Sequence, residues 1–228
     1  MLTAIIVAGG SSQRMGFDKL FALLDGKPAV ARSVAVFEQT ACVTDIILVG
    51  RAERLSELEA LVRAQGFRKV SAVISGGARR QDSVRCGLEQ VGAAAEFVAV
   101  HDAARPLVRP EMIERIFQAA RTYGGAACAA PVIDTLKRAD DDRFVTGGVE
   151  RENLFAVQTP QIFRRDLLSQ AYATVFDVGV EVTDEISAVE RQGGKVVLVP
   201  NEEPNFKITW PADLPLAEFV LRTRGRSG

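Results

Sequence analysis

Thr3-Ala4-Ile5-Ile6-Val7-Ala8-Gly9-Gly10-Ser11-Ser12-Gln13-Arg14-Met15-Gly16-Phe17-Asp18-Lys19 carries the first and most decisive signal of this chain. Its apolar opening, rich in Ile and Val, reads as a parallel strand buried on both faces. The glycines that follow let backbone amides come close to a ligand, and Arg14 and Lys19 add fixed positive charge beside them. Amides and cations at the carboxyl end of a strand form a place to hold phosphates. Ala8, Gly9 and Gly10 are therefore expected to bind a nucleotide.

Spacing excludes two familiar phosphate loops. A Walker loop needs two glycines separated by four residues, the second followed by Lys and then Ser or Thr, and no Gly-Lys-Ser or Gly-Lys-Thr occurs in the chain. A dinucleotide fingerprint needs G-x-G-x-x-G, but here Gly9-Gly10 is followed by a polar stretch and then Gly16. The form present, G-G-x-x-x-R-M-G with a lysine shortly after, resembles the loop of nucleotidyltransferases that move a nucleotidyl group onto a sugar or alcohol phosphate. The competing reading is a Gly/Ser turn joining strand to helix; Arg14 and Lys19 at this spacing weigh against it.

The 228 residues suit one α/β domain, 1–228, and 47% hydrophobic residues suffice for a substantial core. A net charge of -1 offers no general attraction to nucleic acid or membrane, so cations for an anionic ligand must be concentrated locally. No segment approaches the roughly 18 apolar residues of a membrane span. Gly9-Gly10 interrupts the apolar run near the N-terminus, where a secretory signal would need it continuous, and a cytoplasmic enzyme is the expectation. Cys42, Cys86 and Cys128 are widely spaced and read as small buried hydrophobes. His101 is the single histidine, which removes multi-histidine metal sites and limits general-base chemistry.

Strand and helix patterns alternate along the chain and predict a Rossmann-like, doubly wound, mostly parallel sheet. Helices are expected near Ala29–Gln39, Leu55–Gln65, Asp82–Val91, Pro110–Tyr123, Arg165–Thr174, Asp184–Gln192 and Pro211–Arg222. Strands are expected at Ile46–Val49, Val70–Ile74, Phe97–Val100, Ala126–Val132, Val196–Val199 and Phe206–Thr209. The alternation breaks between Thr135 and Gln161. Turn residues between short β-like stretches there predict a β-hairpin arm protruding over about 135–158. It could be a solvated excursion, but a hairpin far from the core is poorly stabilised alone, so pairing with a second subunit is expected.

Several stretches together resemble one family, the 2-C-methyl-D-erythritol 4-phosphate cytidylyltransferases of the non-mevalonate isoprenoid pathway. They are Ala8-Gly9-Gly10 through Lys19, Gly76-Gly77 through Val84, Val100-His101-Asp102-Ala103-Ala104-Arg105-Pro106, Thr159-Pro160-Gln161, Thr183-Asp184-Glu185 and Asn205-Phe206-Lys207-Ile208-Thr209. The His-Asp-Ala-Ala-Arg-Pro run is the most specific of these. The resemblance implies that a sugar phosphate oxygen attacks the α-phosphorus of CTP and pyrophosphate leaves. The attacking phosphate, with a second pKa near ~6, is already largely dianionic at neutral pH, so no general base is required. Repulsion between two polyanions is the obstacle, and cations with preorganised amides are the remedy.

The resemblance makes Arg14, Lys19 and Lys207 catalytic, the first two holding the triphosphate and Lys207 reaching the α-phosphate from the opposite side. Lys207 could otherwise be an outward lysine on an edge strand. Asp102 falls at a strand's carboxyl end and, facing a triphosphate, implies Mg²⁺ or another divalent cation between them; it could instead cap a turn. Ala103 and Arg105 are placed near the nucleotide; Arg105 could instead hold Asp102 and its loop in position, but the role close to the nucleotide is the favoured one. Gly76 and Ser83 resemble a base-reading segment, where the plain alternative is a turn and a helix start. Thr135, Arg151, Thr159 and Thr183 correspond to the sugar-phosphate side, with Arg151 crossing to a neighbouring subunit's site in a homodimer joined through the arm. Asn201-Glu202-Glu203-Pro204 departs from the glycine-containing turn usual before that lysine, leaving Glu203 an uncommitted candidate metal ligand. A cytidylyltransferase for another polyol phosphate, such as ribitol 5-phosphate, and a catalytically inactive nucleotide-binding regulator remain alternatives. A nicotinamide oxidoreductase is disfavoured by the glycine spacing.

Overall fold

The computed structural model describes residues 1–10 and 15–224. Strand β1 (Leu2–Ala8) lies parallel between β4 (Val43–Gly50) and β6 (Phe97–Asp102), and β5 (Val70–Ser75) completes that edge. Beyond β6 come β10 (Phe155–Arg164), β7 (Gly125–Pro131) and β11 (Val197–Pro200). The seven-stranded order is β11-β7-β10-β6-β1-β4-β5, with β10 antiparallel to both neighbours.

Helices cover both faces: α1 (Ala29–Gln39), α2 (Leu55–Gln65), α3 (Arg80–Gln90), α4 (Pro110–Tyr123), α5 (Arg165–Val178), α6 (Glu185–Glu190) and α7 (Asp213–Arg224). Successive strand residues alternate between two cores, as the pleat requires. Ala4, Ile6, Ile46 and Leu48 pack with Val34 and Phe37 of α1 and Ile113 and Ile116 of α4. Ile5, Ile47, Val49, Val98 and Val100 pack with Val84 of α3, Leu168 of α5 and Ile186 of α6. Burial on both faces explains why these strands read as continuous apolar runs.

The arm is an antiparallel pair, β8 (Leu136–Ala139) and β9 (Val145–Val149), as the turn residues indicate. Its predicted limit of about 158 is too long, because residues from Phe155 already belong to the main sheet. The polar Gln158-Thr159 and Pro160 disguise that strand, and its pairing with β7 is irregular between Val157 and Gln161. A proline inside a strand is accommodated at such an irregularity.

Other boundaries also move. Phe206–Thr209 forms no strand: the Ile208 amide donates to the Ala104 carbonyl at 2.8 Å, but no ladder develops. The last helix begins at Asp213, whose carboxylate accepts from the amides of Thr209 and Trp210. Asp184 caps α6 instead of lying within it. A two-stranded hairpin, β2 (Leu23–Leu24) with β3 (Lys27–Pro28), turns at Asp25-Gly26 with φ of 47° and 78°. Asp-Gly with positive φ at both positions is a strong hairpin signal that the periodicity reading passes over. Of the cysteines only Cys128 is buried, and burial raises its thiol pKa to about 11; Cys42 and Cys86 are half-buried.

Phe37 is wholly buried and its ring centroid lies 4.9 Å from that of His101. Phe37→Ala should cost about 3–5 kcal/mol in urea unfolding. A loss below ~1 kcal/mol would contradict this packing of α1 against the sheet.

Candidate active site

The sheet changes winding direction between β1 and β6, where open α/β folds bind ligands beyond the strands' carboxyl ends. A cavity of about 310 Å³ opens there, with Gly9, Gly10, Lys19, Arg80, Asp102 and Lys207 among its lining. A second, about 250 Å³, shares Arg80, Asp102 and Lys207 and adds Arg105, Thr159 and Thr183. The shared side chains mark the junction of the two.

Asp102 ends the buried strand β6. Its Oδ1 accepts from Arg80 Nε at 3.0 Å, its Oδ2 accepts from Lys207 Nζ at 2.8 Å, and Arg105 Nε lies 3.8 Å from Oδ2. Burial alone would raise the Asp102 pKa; Arg80, Lys207 and Arg105 outweigh it and hold the carboxyl well below the usual carboxylate range. Lys19 donates to the Ile208 carbonyl at 2.8 Å, one residue from Lys207. The two lysines therefore meet at one site although they lie near opposite ends of the chain.

Arg105 Nη1 donates to the Asn205 carbonyl at 2.9 Å, tying the loop after β6 to the strap that carries Lys207, while the residue also lines the smaller cavity. The same strap is pinned by Asn205 Nδ2, which donates to the Thr159 carbonyl and to Gln158 Oε1.

His101 is fully buried behind the site. Its Nε2 lies 3.1 Å from the Arg105 carbonyl and its Nδ1 lies 3.1 Å from Thr159 Oγ1. A carbonyl only accepts, so Nε2 carries the proton and Nδ1 accepts from the Thr159 hydroxyl. That hydroxyl in turn accepts from the Asp102 amide at 3.0 Å. Desolvation lowers the His101 pKa to about 3, despite the opposing charge of Asp102. The only histidine thus acts as a neutral strut, and the Thr159 hydroxyl is engaged in the same chain.

Gly76 and Gly77 are dictated by packing against the start of α3. A Cβ on Gly76 would lie 2.4 Å from Ser83 Oγ, and one on Gly77 would lie 2.4 Å from Asp82 Cβ. Gly77 and Ser83 line the larger cavity, whereas Gly76 stands behind them. Ala8 and Ala103 also stand behind the wall. Ala103's amide donates to the Val7 carbonyl and its carbonyl accepts from Ser33 Oγ, leaving Ala104 at the cavity surface.

Thr135 and Arg151 are exposed at the base of the arm and line neither cavity; Arg151 donates to the Ile133 carbonyl. Arg14 lies outside the described residues. Glu203 is engaged by Arg109 and Arg224 and is not among the residues of either cavity. Arg79 and Arg80 are cavity residues that received no role from the sequence. Two adjacent arginines at the start of a helix, where the macrodipole disfavours cations, were the available signal.

A cluster of cations around one carboxylate at the carboxyl end of a doubly wound sheet is the arrangement of a nucleotidyltransferase-type site. The family described as "IspD: 2-C-methyl-D-erythritol 4-phosphate cytidylyltransferase" matches residues 2–223. The chain belongs to that family, and it is a cytidylyltransferase. A protein of that description from Dehalococcoides mccartyi strain CBDB1 is 42% identical over 224 residues, covering 98% of this chain and 96% of the relative. The structure of 4-diphosphocytidyl-2C-methyl-D-erythritol synthase from Anaerococcus prevotii superposes with a TM-score of 0.85 at 26% identity, covering 97% of this chain and 96% of the other. The 2-C-methyl-D-erythritol 4-phosphate cytidylyltransferase of Thermus thermophilus gives 0.78 at 31% identity, covering 97% and 100%.

Because His101 stays neutral when folded, the unfolded chain takes up a proton that the native chain refuses as pH falls below ~6.5. Stability present above that pH is lost progressively towards about 3. Replacing the histidine by Gln should flatten this acid limb in thermal melts between pH ~6.5 and ~4. An unchanged slope would mean that His101 is not responsible.

Proposed function

We infer that this chain transfers CMP from CTP to 2-C-methyl-D-erythritol 4-phosphate, releasing pyrophosphate and 4-diphosphocytidyl-2-C-methyl-D-erythritol for isoprenoid precursor synthesis. The observation that carries the reading is the convergence of Lys19 and Lys207 on one cavity beside Asp102. In this reading the triphosphate lies over Gly9-Gly10 with Lys19 against it, and Arg14 keeps the triphosphate-holding role that the resemblance implies. The base turns its hydrogen-bonding edge towards the backbone of Gly77 and the Ser83 hydroxyl. The acceptor phosphate enters from the side of Thr183 and Thr159. Lys207 leaves Asp102 for the α-phosphate, offsetting the repulsion between the two anions. No side chain removes a proton, in keeping with the buried, neutral state of His101.

Among the described residues no cluster of three or more His, Cys, Asp or Glu side chains is placed to hold a metal. Asp102 therefore fits a divalent cation only if the nucleotide phosphates and water supply most of its ligands, which is the habit of Mg²⁺. Such an ion would neutralise phosphate charge; Lys207 would have to vacate Asp102 Oδ2 first. A homodimer is supported by the arm, whose Phe144 and Val145 are 72% and 66% exposed, and by Ile133 just before it, which is 80% exposed. Pairing there would bury them and bring Arg151 to the partner's acceptor site. The described residues contain no helix long and apolar enough to cross a membrane, which is compatible with a cytoplasmic setting.

A pyrophosphate-release assay with CTP should show turnover with 2-C-methyl-D-erythritol 4-phosphate and little with ribitol 5-phosphate. Preference for ribitol phosphate would reassign the acceptor, and CTP binding without product would make the chain a regulator. In the same assay Lys19→Ala and Lys207→Ala should each lower kcat by about 10²–10³ at unchanged circular dichroism. Near-normal rates would remove that lysine from the mechanism.

Arg151→Ala should raise KM for the sugar phosphate by about tenfold or more while leaving CTP affinity unchanged, as expected for one lost charge-assisted contact. Equal KM values would place Arg151 outside the site, and a monomer in sedimentation would dismiss the shared-site arrangement.

A further inference from the structure

We propose that Arg80 is a further catalytic residue of the transfer and that the buried Glu185, braced by Tyr172, is the positioning residue that holds it; this rests on the cytidylyl-transfer reading above. Arg80 lines both cavities, together with Asp102 and Lys207. If the nucleotide fills one and the acceptor phosphate the other, the phosphorus under attack lies where they join. Arg80 is thus a cation at the reacting centre.

Its guanidinium is gripped as a fork. Nη1 donates to Glu185 Oε1 at 2.7 Å, Nη2 to Glu185 Oε2 at 3.0 Å, and Nε to Asp102 Oδ1 at 3.0 Å. These bonds use three of its five N–H groups, leaving two donors for phosphate oxygens. Tyr172 donates its hydroxyl to Glu185 Oε1 at 2.9 Å, which fixes the carboxylate's orientation.

The arrangement is unfavourable for any local reason. Glu185 is 0% exposed, and a carboxylate so deep is costly unless fully paired. Arg80 is the first residue of α3, where the helix macrodipole opposes a cation. Glu185 lines neither cavity, so it does not itself meet substrate. What it provides is a planar, bidentate anchor that only arginine can match; lysine would keep the charge but lose the fork. Lys207 is 40% exposed on its strap and Arg80 is 24% exposed in its fork. Arg80 is the cation that stays put while Lys207 changes partners.

Five variants test this by steady-state pyrophosphate release with CTP and methylerythritol phosphate, alongside circular dichroism and thermal melts. Arg80→Lys should lower kcat at least about tenfold, in the range of losing one preorganised donor, with KM for CTP changed less than about threefold. Glu185→Gln should lower kcat by a comparable factor. The double variant should be no slower than the slower single, because Glu185 acts through Arg80. Losses that multiply in the double variant, or a Glu185→Gln protein with unaltered kcat and only a lower Tm, would overturn the positioning role. Should Glu185→Gln not fold, Tyr172→Phe decides: a kcat reduced about twofold to fivefold, absent when combined with Arg80→Lys, supports the anchor, and an unchanged kcat overturns it. Wild-type protein that turns over with neither methylerythritol phosphate nor any other polyol phosphate overturns the underlying reaction instead, an outcome distinct from all of these.

Discussion

A single carboxylate holds the site together before any substrate arrives. Asp102 accepts from Arg80 and Lys207 and lies beside Arg105, so one anion restrains three cations in a partly water-excluded space. Without it, mutual repulsion would spread them. A polyphosphate offers the same cations several acceptors, which makes Asp102 the occupant of the ligand's electrostatic place. The partners differ in how firmly they are otherwise held. Arg80 is anchored by Glu185 and Arg105 by the Asn205 carbonyl, whereas the Lys207 ammonium makes its polar contact with Asp102. Exchange of that contact is the least costly.

The carboxylate can serve so many partners because its backbone does not move. Strand β6 is buried along its whole length, and the Asp102 amide is tied through Thr159 to His101 and on to the Arg105 carbonyl. Every polar group in the relay from the Asp102 amide through Thr159 and His101 to the Arg105 carbonyl is satisfied with one consistent choice of protons, so the low dielectric around it stiffens the structure instead of penalising it. The histidine, the usual candidate for a general base, serves as scaffold here. A dianionic acceptor makes that possible, because it brings no proton to remove.

Much of the fold was legible because both cores leave direct marks. Two-sided burial gives the apolar runs of β1, β4 and β6, and the helices α1, α2 and α4 carry both periodicity and end signals, such as Pro110 and the left-handed Gly124. The β10 strand was hidden because it turns antiparallel beside two parallel-type neighbours and contains a proline at a break in its ladder. The strap at Phe206–Ile208 looked like a strand because Phe206 and Ile208 are apolar. They serve instead a small third core with Leu107, Ala217 and Val220. In the site, the loop after β1 and the carboxyl end of β6 pointed to Lys19 and Asp102, whereas Lys207 came from the family resemblance alone. The Arg80–Glu185 pair spans 105 positions, and no local pattern encodes such a partnership.

That Lys207 lies on a strap has a mechanical consequence which a strand would not share. A strand residue is fixed by hydrogen bonds on each side, and its side chain keeps one direction. The strap is pinned at Asn205 by side-chain bonds to β10 and at Ile208 by an amide bond to Ala104 and the Lys19 ammonium on its carbonyl. Between those pins only Phe206 and Lys207 are left to adjust. The lysine's origin is thereby fixed while its flexible stem can sweep from Asp102 towards a phosphate. Lys19 is itself part of one pin, so a nucleotide that draws Lys19 towards its phosphates also loosens the hold on Ile208 beside Lys207. Lys19 and Lys207 are thereby linked through the Ile208 carbonyl as well as through the cavity they share.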